Sequence, residues 1–265
     1  MGLLLKEWRL RRRLSQLELA CEADISTRHL SFIETGRAQP SREMILHLSE
    51  RLGVPLRERN ELLLAAGFAP VYSTKPLADS ALTAVRKAVN LVLTGHEPFP
   101  ALAVDRHWNL IAANRAVSAL LAGVAPDLVT PPVNVLRLSL HPDGLAPRIM
   151  NLPEWRGHVL ERLRYQIEAT ADPALSELLK ELREYPVSPK GSNGPTEEHS
   201  DLVVPLQLAT EIGTLKLFST TTVFGTPLDV TISEIAIESF FPSDEETADI
   251  LQRLSRATGS KSTAG

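Results

Sequence analysis

Several features are scarce in this sequence, and each scarcity excludes a class of protein. The 265 residues include one cysteine, Cys21, so no disulfide can form within the chain, and this composition fits a reducing compartment. No apolar run approaches the roughly 20 residues that a transmembrane helix needs. We therefore expect a cytoplasmic protein that has no membrane partner.

Motifs that mark catalytic or metal sites are also missing. The histidines are scattered, and none belongs to the HExxH pattern of a zinc helix. There is no GxSxG elbow, no phosphate-binding GxxxxGK[ST] loop and no GxGxxG after a predicted strand. Asp105, His107 and Asn109 alternate near a turn, where a polar turn explains them better than acid–base chemistry does. We predict no enzyme, no metal and no resident cofactor.

Neither positive nor negative charge dominates the chain, but the charged residues are unevenly distributed along it. The net charge is −4. Residues 1–70 carry 11 Lys or Arg against 9 Asp or Glu, a net charge of +2, whereas the remainder carries 17 against 23, a net charge of −6. Four arginines lie between positions 9 and 13. A basic N-terminal part on an acidic body favours nucleic-acid binding by that part.

The stretch SQLELACEADISTRHLSFIETG, residues 15–36, predicts two short helices in succession. Ser15 and Glu18 have the spacing of a capping box, Ser26 is a second N-cap, and Gly36 ends the second helix. Leu30 and Ile33 form the apolar side of that helix. The opposite side then carries polar residues and an aromatic one, Arg28, Ser31, Phe32 and Thr35. A solvent-facing aromatic beside a guanidinium indicates a binding surface.

This arrangement is the helix-turn-helix pattern, in which the second helix enters the DNA major groove. The stretch resembles the phage-repressor type found in XRE-family bacterial regulators. That type usually has Gly in the turn, whereas this chain has Asp24, which tolerates a left-handed backbone better than most residues. The resemblance also implies a structural pair between the first helix and the end of the recognition helix. Arg9 and Glu34 occupy those positions.

The helix-turn-helix interpretation also predicts which residues contact DNA. Candidate base contacts are Thr27, Arg28, Ser31, Phe32 and Thr35, since Arg pairs with guanine and apolar groups contact the thymine methyl. Candidate phosphate contacts are Ser15, Gln16, Arg37, Ser41 and Arg42. A single such domain buries little surface, so we expect a homodimer on a two-fold site in double-stranded DNA.

The rest of the chain divides into further predicted elements. Helices over 41–52 and 55–67 complete a five-helix all-α domain in residues 1–70. Residues 71–257 predict an α+β domain, with strands at 101–104, 108–112, 202–208, 213–224 and 230–242 and a last helix over 243–257. The Pro/Gly/Ser-rich segment 186–200 predicts a flexible loop, and 258–265 a disordered tail.

PALAVDRHWNLIAANRAVSALLAG, residues 100–123, resembles the opening of a PAS-type sensory domain. Together with NVLRLSLHPDGLAP and LFSTTTVFGTPLDVTISEIAIESFFP, it makes the chain similar to MmyB-like transcriptional regulators. The resemblance implies an α+β, PAS-like domain that has a mainly antiparallel sheet and an apolar cavity. It also implies a small apolar, fatty-acid-like ligand in that cavity.

A half-open sheet covered by helices would have a concave apolar interior, and aromatic residues are candidates for its walls. These are Trp108, Trp155, Phe218, Phe224, Phe240 and Phe241, for each of which a plain core role is the alternative. Arg137 and Arg148 are candidates to meet a carboxylate head group, or are ordinary surface arginines.

The sequence thus predicts a bacterial transcriptional regulator that binds specific DNA and responds to a small apolar molecule. Two alternatives remain for the C-terminal domain: a protein-interaction module, or an enzyme that acts on a small acyl molecule.

Overall fold

The computed structural model describes residues 1–186 and 204–261, and the side chains of 1–186 and 204–256. Contacts divide the chain into two units. The first comprises Met1–Pro76 and Thr226–Ser233, and the second comprises Leu77–Gly225 and Glu234–Gly265. Most of the predicted flexible loop at 186–200, and the end of the predicted tail at 262–265, lie outside the described residues.

The first unit contains the five predicted N-terminal helices. They are α1 (Gly2–Arg11), α2 (Gln16–Glu22), α3 (Thr27–Glu34), α4 (Arg42–Arg51) and α5 (Leu56–Ala65). Its core consists of leucine and isoleucine side chains with almost no exposed surface: Leu5, Leu19, Leu30, Ile33, Ile45, Leu48, Leu52, Leu62 and Leu63. Each such burial stabilises the fold by about 1.5–3 kcal/mol relative to exposure.

Serine caps set the starts of three of these helices. The hydroxyls of Ser15, Ser26 and Ser41 each accept a hydrogen bond from the backbone N–H three residues later, at 3.1, 3.1 and 3.2 Å. Asp24, in the turn between α2 and α3, has φ 51°, so the predicted left-handed turn is confirmed. These local features orient α3 against α2.

The first unit extends beyond the predicted boundary at residue 70. The buried Asn60 amide oxygen accepts hydrogen bonds from the N–H groups of Val71 and Tyr72, at 3.0 and 3.1 Å. The segment Thr226–Ser233, assigned from the sequence to the second domain, also belongs here. Its Val230 is fully buried, and its short helix α11 (Val230–Ser233) packs on α5.

The second unit contains a five-stranded antiparallel sheet and most of the remaining helices. Its strands are β1 (Ala101–Val104), β2 (Leu110–Ala113), β3 (Leu206–Thr210), β4 (Gly213–Val223) and β5 (Ala236–Pro242), in the spatial order β2-β1-β5-β4-β3. The helices are α6 (Thr83–Gly95), α7 (Arg115–Leu120), α8 (Val135–Leu140), α9 (Leu152–Thr170), α10 (Pro173–Glu184) and α12 (Glu245–Lys261). The predicted fold class, an all-α unit followed by an α+β unit with an antiparallel sheet, is confirmed.

The two faces of the sheet belong to different hydrophobic clusters. In β1, Ala101 and Ala103 join a cluster with Val89 of α6, whereas Leu102 and Val104 join the larger cluster that includes α9 and α10. Successive strand residues point to opposite faces, so alternate residues reach each cluster. Helices therefore cover both faces of the sheet.

Four sequence-based boundaries were wrong. The strand predicted over 202–208 corresponds to β3, which covers Leu206–Thr210, and residues 204 and 205 lie outside it. Val230–Ser233 forms a short helix, α11, instead of the start of a strand, because the Asp229 carboxylate accepts hydrogen bonds from the N–H groups of Thr231 and Ile232. This cap outweighs the β propensity of the branched residues. Trp108 precedes β2 instead of starting it. The last helix, α12, continues to Lys261, so residues 258–261 are helical.

Candidate nucleic-acid interface and ligand cavity

Helix α3 presents the predicted base-contacting side to solvent within the first unit. Leu30, Ile33 and Glu34 of this helix are buried. Arg28 and Thr35 are exposed, and Thr27, Ser31 and Phe32 are partly so. The Arg28 guanidinium carbon lies 5.3 Å from the centre of the Phe32 ring. The five predicted residues thus form one accessible surface that combines a cation, an aromatic ring and hydroxyls.

A buried ion pair fixes the end of α3 against α1. Arg9 donates from Nε to Glu34 Oε1 at 2.7 Å and from Nη2 to Oε2 at 2.9 Å. Its Nη1 donates to the carbonyl oxygen of Leu14 at 2.8 Å. The hydrogen bond with Glu34 raises the pKa of Arg9, so this guanidinium stays charged. The structure therefore brings together the two residues that the resemblance paired.

The predicted phosphate contacts divide into two groups. Arg37, Ser41 and Arg42 are exposed beside α3 and at the start of α4. The side-chain amide of Gln16 instead donates to Glu34 Oε2 at 2.8 Å, and the backbone N–H of Ser15 donates to the Glu18 carboxylate at 2.6 Å. The second N–H of the Gln16 amide and the hydroxyl hydrogen of Ser15 are not used in these bonds, so phosphate contacts through the two residues stay a prediction.

The second unit contains an apolar cavity of about 110 Å³. Its lining comes from all five strands and from helices α7, α8 and α9, and consists mainly of leucine and valine side chains. Three of the predicted wall residues, Trp108, Trp155 and Phe240, line it. The other predicted members, Phe218, Phe224, Arg137 and Arg148, are not among its described lining residues.

The two predicted aromatics that do not line the cavity, Phe218 and Phe224, lie elsewhere in the second unit. Phe218 stacks on Phe241, with ring centres 5.3 Å apart. Its strand neighbours Leu217 and Ser219 line the cavity, so strand alternation directs Phe218 to the opposite face. Phe224 packs against the cluster on the α6 side of the sheet. The sequence identified these aromatics but did not determine which face each one occupies.

The two predicted head-group arginines are engaged elsewhere. Arg137 pairs with Glu181 at 2.7 Å in an exposed ion pair. Arg148 donates to the carbonyl oxygens of Leu120, Ala122 and Ala209 at 2.8, 3.0 and 3.1 Å. Their proposed role as carboxylate partners in the cavity is therefore wrong: one neutralises a surface carboxylate and the other ties loops to a strand.

The polar part of the cavity contains a different arginine. Arg162 of α9 forms a bidentate ion pair with Glu238 of β5, which is 4% exposed. Thr221 completes the group, because its hydroxyl accepts a hydrogen bond from Arg162 at 2.6 Å and donates to Glu238 at 2.9 Å. Both ions line the cavity and neutralise each other.

His158 lies one turn before Arg162 and also lines the cavity. Burial lowers the pKa of this imidazole, and the charge of Arg162 lowers it further. The ring is therefore neutral at pH 7, with one nitrogen that donates and one that accepts. Trp155, 5.6 Å away between ring centres, donates from its indole nitrogen to the Ser139 hydroxyl at 2.9 Å.

Trp108 connects the turn before β2 with this polar group. Its backbone has φ 67°, a conformation that large side chains rarely adopt. The indole nitrogen donates to Gln166 at 2.7 Å, and the Arg162 guanidinium carbon lies 4.7 Å from the centre of the ring. Strained backbone of this kind is typical of binding sites, where surrounding contacts maintain it.

Sequence reasoning missed Arg162, Glu238 and His158. Two signals were present. On α9, Trp155, His158 and Arg162 recur at spacings of three and four residues, so they share one helix side with the apolar wall. On β5, Glu238 and Phe240 are two residues apart and therefore lie on the same, inward face of the strand. An apolar residue is usual at such a position, so the glutamate was a signal.

No group of three or more His, Cys, Asp or Glu is arranged to hold a metal ion within the described part of the chain. None of the helices described is both long and apolar enough to cross a membrane.

Comparison with protein families shows the class of protein to which this chain belongs. A helix-turn-helix family model matches residues 5–59, which contain the exposed side of α3. The fold and this match define a DNA-binding transcription regulator. The model of the MmyB-like transcription regulator ligand binding domain matches residues 85–254, and these contain the cavity. The chain belongs to the MmyB-like transcription regulators.

Solved structures offer only distant similarity. The PAS domain of BvgS from Bordetella pertussis matches 67% of this chain and 99% of its own, with 15% identity and a TM-score of 0.28. An RNA-binding light-oxygen-voltage receptor matches 97% of this chain and 62% of its own, with 13% identity and a TM-score of 0.25. Scores this low support no functional argument. No curated protein matches the chain closely enough to count as a relative.

Proposed function

We propose that this regulator binds a specific DNA site as a homodimer through α3, and that a small apolar, fatty-acid-like molecule in the cavity controls that binding. The observation that carries the proposal is the cavity itself, which is apolar on nearly all sides and has one polar, charge-paired group. Ligand sites commonly combine apolar walls with a few fixed polar groups.

The accessible side of α3 supports base recognition. Arg28 has the length and fork geometry to donate to O6 and N7 of guanine in the major groove, and the Phe32 ring offers an apolar contact for a thymine methyl. We assign phosphate contacts to Arg37, Ser41 and Arg42, which are exposed beside α3 and at the start of α4, and such contacts fix the register on DNA. The buried Arg9–Glu34 pair keeps α3 in the orientation that this docking requires.

The size of the cavity supports a ligand. The cavity has a volume of about 110 Å³ and mainly apolar walls. An apolar molecule that enters it removes apolar surface from water, which is favourable by about 25 cal/mol for each Å² buried. The unit therefore gains stability from a ligand that has this shape, and the gain provides energy for a conformational response.

Chain connectivity supports control of the first unit by the cavity. Strands β4 and β5 both line the cavity, through Ser219 and Glu238. The segment that joins them, Thr226–Ser233, belongs to the first unit. Within that unit the Val230 N–H donates to the Ser73 carbonyl at 2.8 Å, and the Thr231 hydroxyl donates to the Lys75 carbonyl at 2.6 Å. Displacement of either strand by a ligand is the route that we propose from the cavity to this segment.

The experiment that tests the proposal uses the full-length protein in two stages. Selection of bound duplexes from a random library gives the DNA site, and footprinting shows whether it has the two half-sites that a homodimer needs. Denaturation of the purified protein followed by mass spectrometry identifies any retained apolar molecule, which is then titrated into the DNA-binding assay. Control by a small molecule is overturned if nothing apolar is released and no lipid in a test panel changes the melting temperature or the DNA affinity.

A further inference from the structure

The charges that line the cavity balance each other. Among its described lining residues, Arg162 and Glu238 are the charged pair, and His158 is the other ionisable group. Both Glu238 oxygens accept hydrogen bonds from Arg162, and one also accepts from the Thr221 hydroxyl. The guanidinium that an anionic head group would need is thus already neutralised.

A carboxylate at this position meets an unfavourable environment. To reach Arg162, it must approach Glu238, which is almost fully buried and has the same charge. Like charges in a partly desolvated site repel strongly, and separation of the existing pair would leave Glu238 buried without its partner. Arg137 and Arg148, the other candidates for a carboxylate, have partners outside the cavity.

Neutral hydrogen-bonding groups are available instead. No hydrogen bond joins the His158 ring to another described residue, so both of its nitrogens are available for a ligand. Ser139 accepts a hydrogen bond from the Trp155 indole, which leaves its own hydroxyl hydrogen to donate. A hydroxyl or carbonyl group on a ligand has a donor or an acceptor to pair with at either residue.

We infer that the ligand is an uncharged amphiphile, a long apolar chain with a hydroxyl, carbonyl or amide head group, and not the anion of a fatty acid. The head group lies at the polar part formed by His158, Arg162 and Glu238, and the chain occupies the leucine-lined remainder. This inference rests on the proposed function, since it specifies the chemistry of the cavity ligand.

A series of head groups on one alkyl chain provides the test. Decanol, decanamide and decanoate are titrated into the full-length protein at pH 7.5, below their aggregation limits, by calorimetry and by thermal shift. The two neutral compounds are expected to bind at least about tenfold more tightly than decanoate, because only decanoate places a second negative charge beside Glu238.

Two variants identify the group responsible. Glu238→Gln removes the negative charge while it keeps the size of the side chain, so Arg162 becomes available to a carboxylate. Decanoate binding is expected to strengthen about tenfold or more, with little change for decanol. Glu181→Gln is the matched control, because it removes the partner of Arg137 outside the cavity and should leave the order of affinities unchanged.

Each outcome decides a different claim. Tighter binding of decanoate than of decanol to the unmodified protein overturns the inference but leaves control by an apolar molecule intact. Failure of all three compounds to bind counts against the proposed small-molecule ligand itself. If Glu238→Gln does not fold, the double variant R162Q/E238Q replaces it. Because the negative charge of Glu238 is absent from this variant, decanol binding should be preserved and the preference for decanol over decanoate should shrink. A preference as large as that of the unmodified protein contradicts the inference.

Discussion

The guanidinium of Arg9 and the carboxylate of Glu34 form a bidentate pair whose side chains are 6% and 1% exposed. The pair connects α1 with the last residue of α3 across 25 residues of sequence. Burial raises the pKa of Glu34, but hydrogen bonds from Arg9 and Gln16 outweigh this effect and leave it lowered. The orientation of α3 thus depends on an interaction that lies away from the exposed side of this helix.

Arg9→Leu should lower the free energy of unfolding by about 3–5 kcal/mol, because it leaves the Glu34 carboxylate buried without its cation. The double variant R9L/E34L should recover much of the loss, since it buries no unpaired charge. Urea denaturation of the four proteins in the cycle measures both effects. If the double variant loses as much as the sum of the single ones, the pair does not act as a unit.

Asp24 should tolerate glycine but not a β-branched residue. Its φ of 51° lies in the left-handed region, which glycine adopts freely and valine adopts only with strain. We expect Asp24→Val to reduce the free energy of unfolding by about 1–2 kcal/mol and Asp24→Gly to change it by less than about 0.5 kcal/mol. Chemical denaturation distinguishes the two, and equal losses would contradict the role of backbone strain.

Arg28→Ala should weaken binding to the selected DNA site by about 1–3 kcal/mol and relax the preference at one base pair. The guanidinium lies over the Phe32 ring on the exposed side of α3, for which we propose base contacts. Fluorescence anisotropy against all single-base variants of the site measures both effects. Arg51→Ala, at the end of α4, serves as a control for the loss of one charge from the same unit. Unchanged affinity and preference for Arg28→Ala would reject this docking.

Val135→Phe should fill part of the cavity and prevent ligand binding without loss of the fold. The added ring enters existing empty space, so overpacking strain is small. We expect the variant to melt at or above the temperature of the unmodified protein without ligand, and to show no further rise when an apolar ligand is added. Val129→Phe, at a more exposed position, is the control. An undiminished ligand-induced shift in Val135→Phe would place the ligand elsewhere.

His158 should titrate below its ordinary pKa of about 6.5. Burial and Arg162 lower its pKa, whereas Glu238 opposes this effect. As the pH falls, the His158 imidazole is therefore protonated in the unfolded chain before it is protonated in the folded protein. The stability that this group contributes is present above about pH 6.5 and is lost as the pH falls through the folded-state pKa. NMR shifts of the ring measure the titration. Glu238→Gln should lower the pKa further, and a rise would contradict this arrangement.

Much of the first unit could be predicted because its signals are local. Ser15, Ser26 and Ser41 cap the backbone three residues away, and the turn at Asp24 depends on one residue's φ. The side of α3 that faces solvent follows from a fixed angle per residue. The Arg9–Glu34 pair is not local, and only resemblance to a known type suggested it.

The residues that line the cavity could be predicted only in part from local sequence patterns. Aromatic content suggested Trp108, Trp155 and Phe240 correctly and Phe218 and Phe224 incorrectly, because hydrophobicity does not specify which cluster a side chain joins. Arg162 and Glu238 are 76 residues apart. They meet because α9 packs over the antiparallel pair of β4 and β5, and no spacing in the sequence encodes that crossing.

The amino-acid sequence by itself determined the helix boundaries of the first unit and the side of α3 that is exposed to solvent. These follow from interactions over a few residues and from the period of the helix. Only the tertiary structure decided which charges share the cavity and that Thr226–Ser233 belongs to the first unit. Both depend on contacts between distant segments, where burial and partner geometry, and not local propensity, determine the lowest free energy.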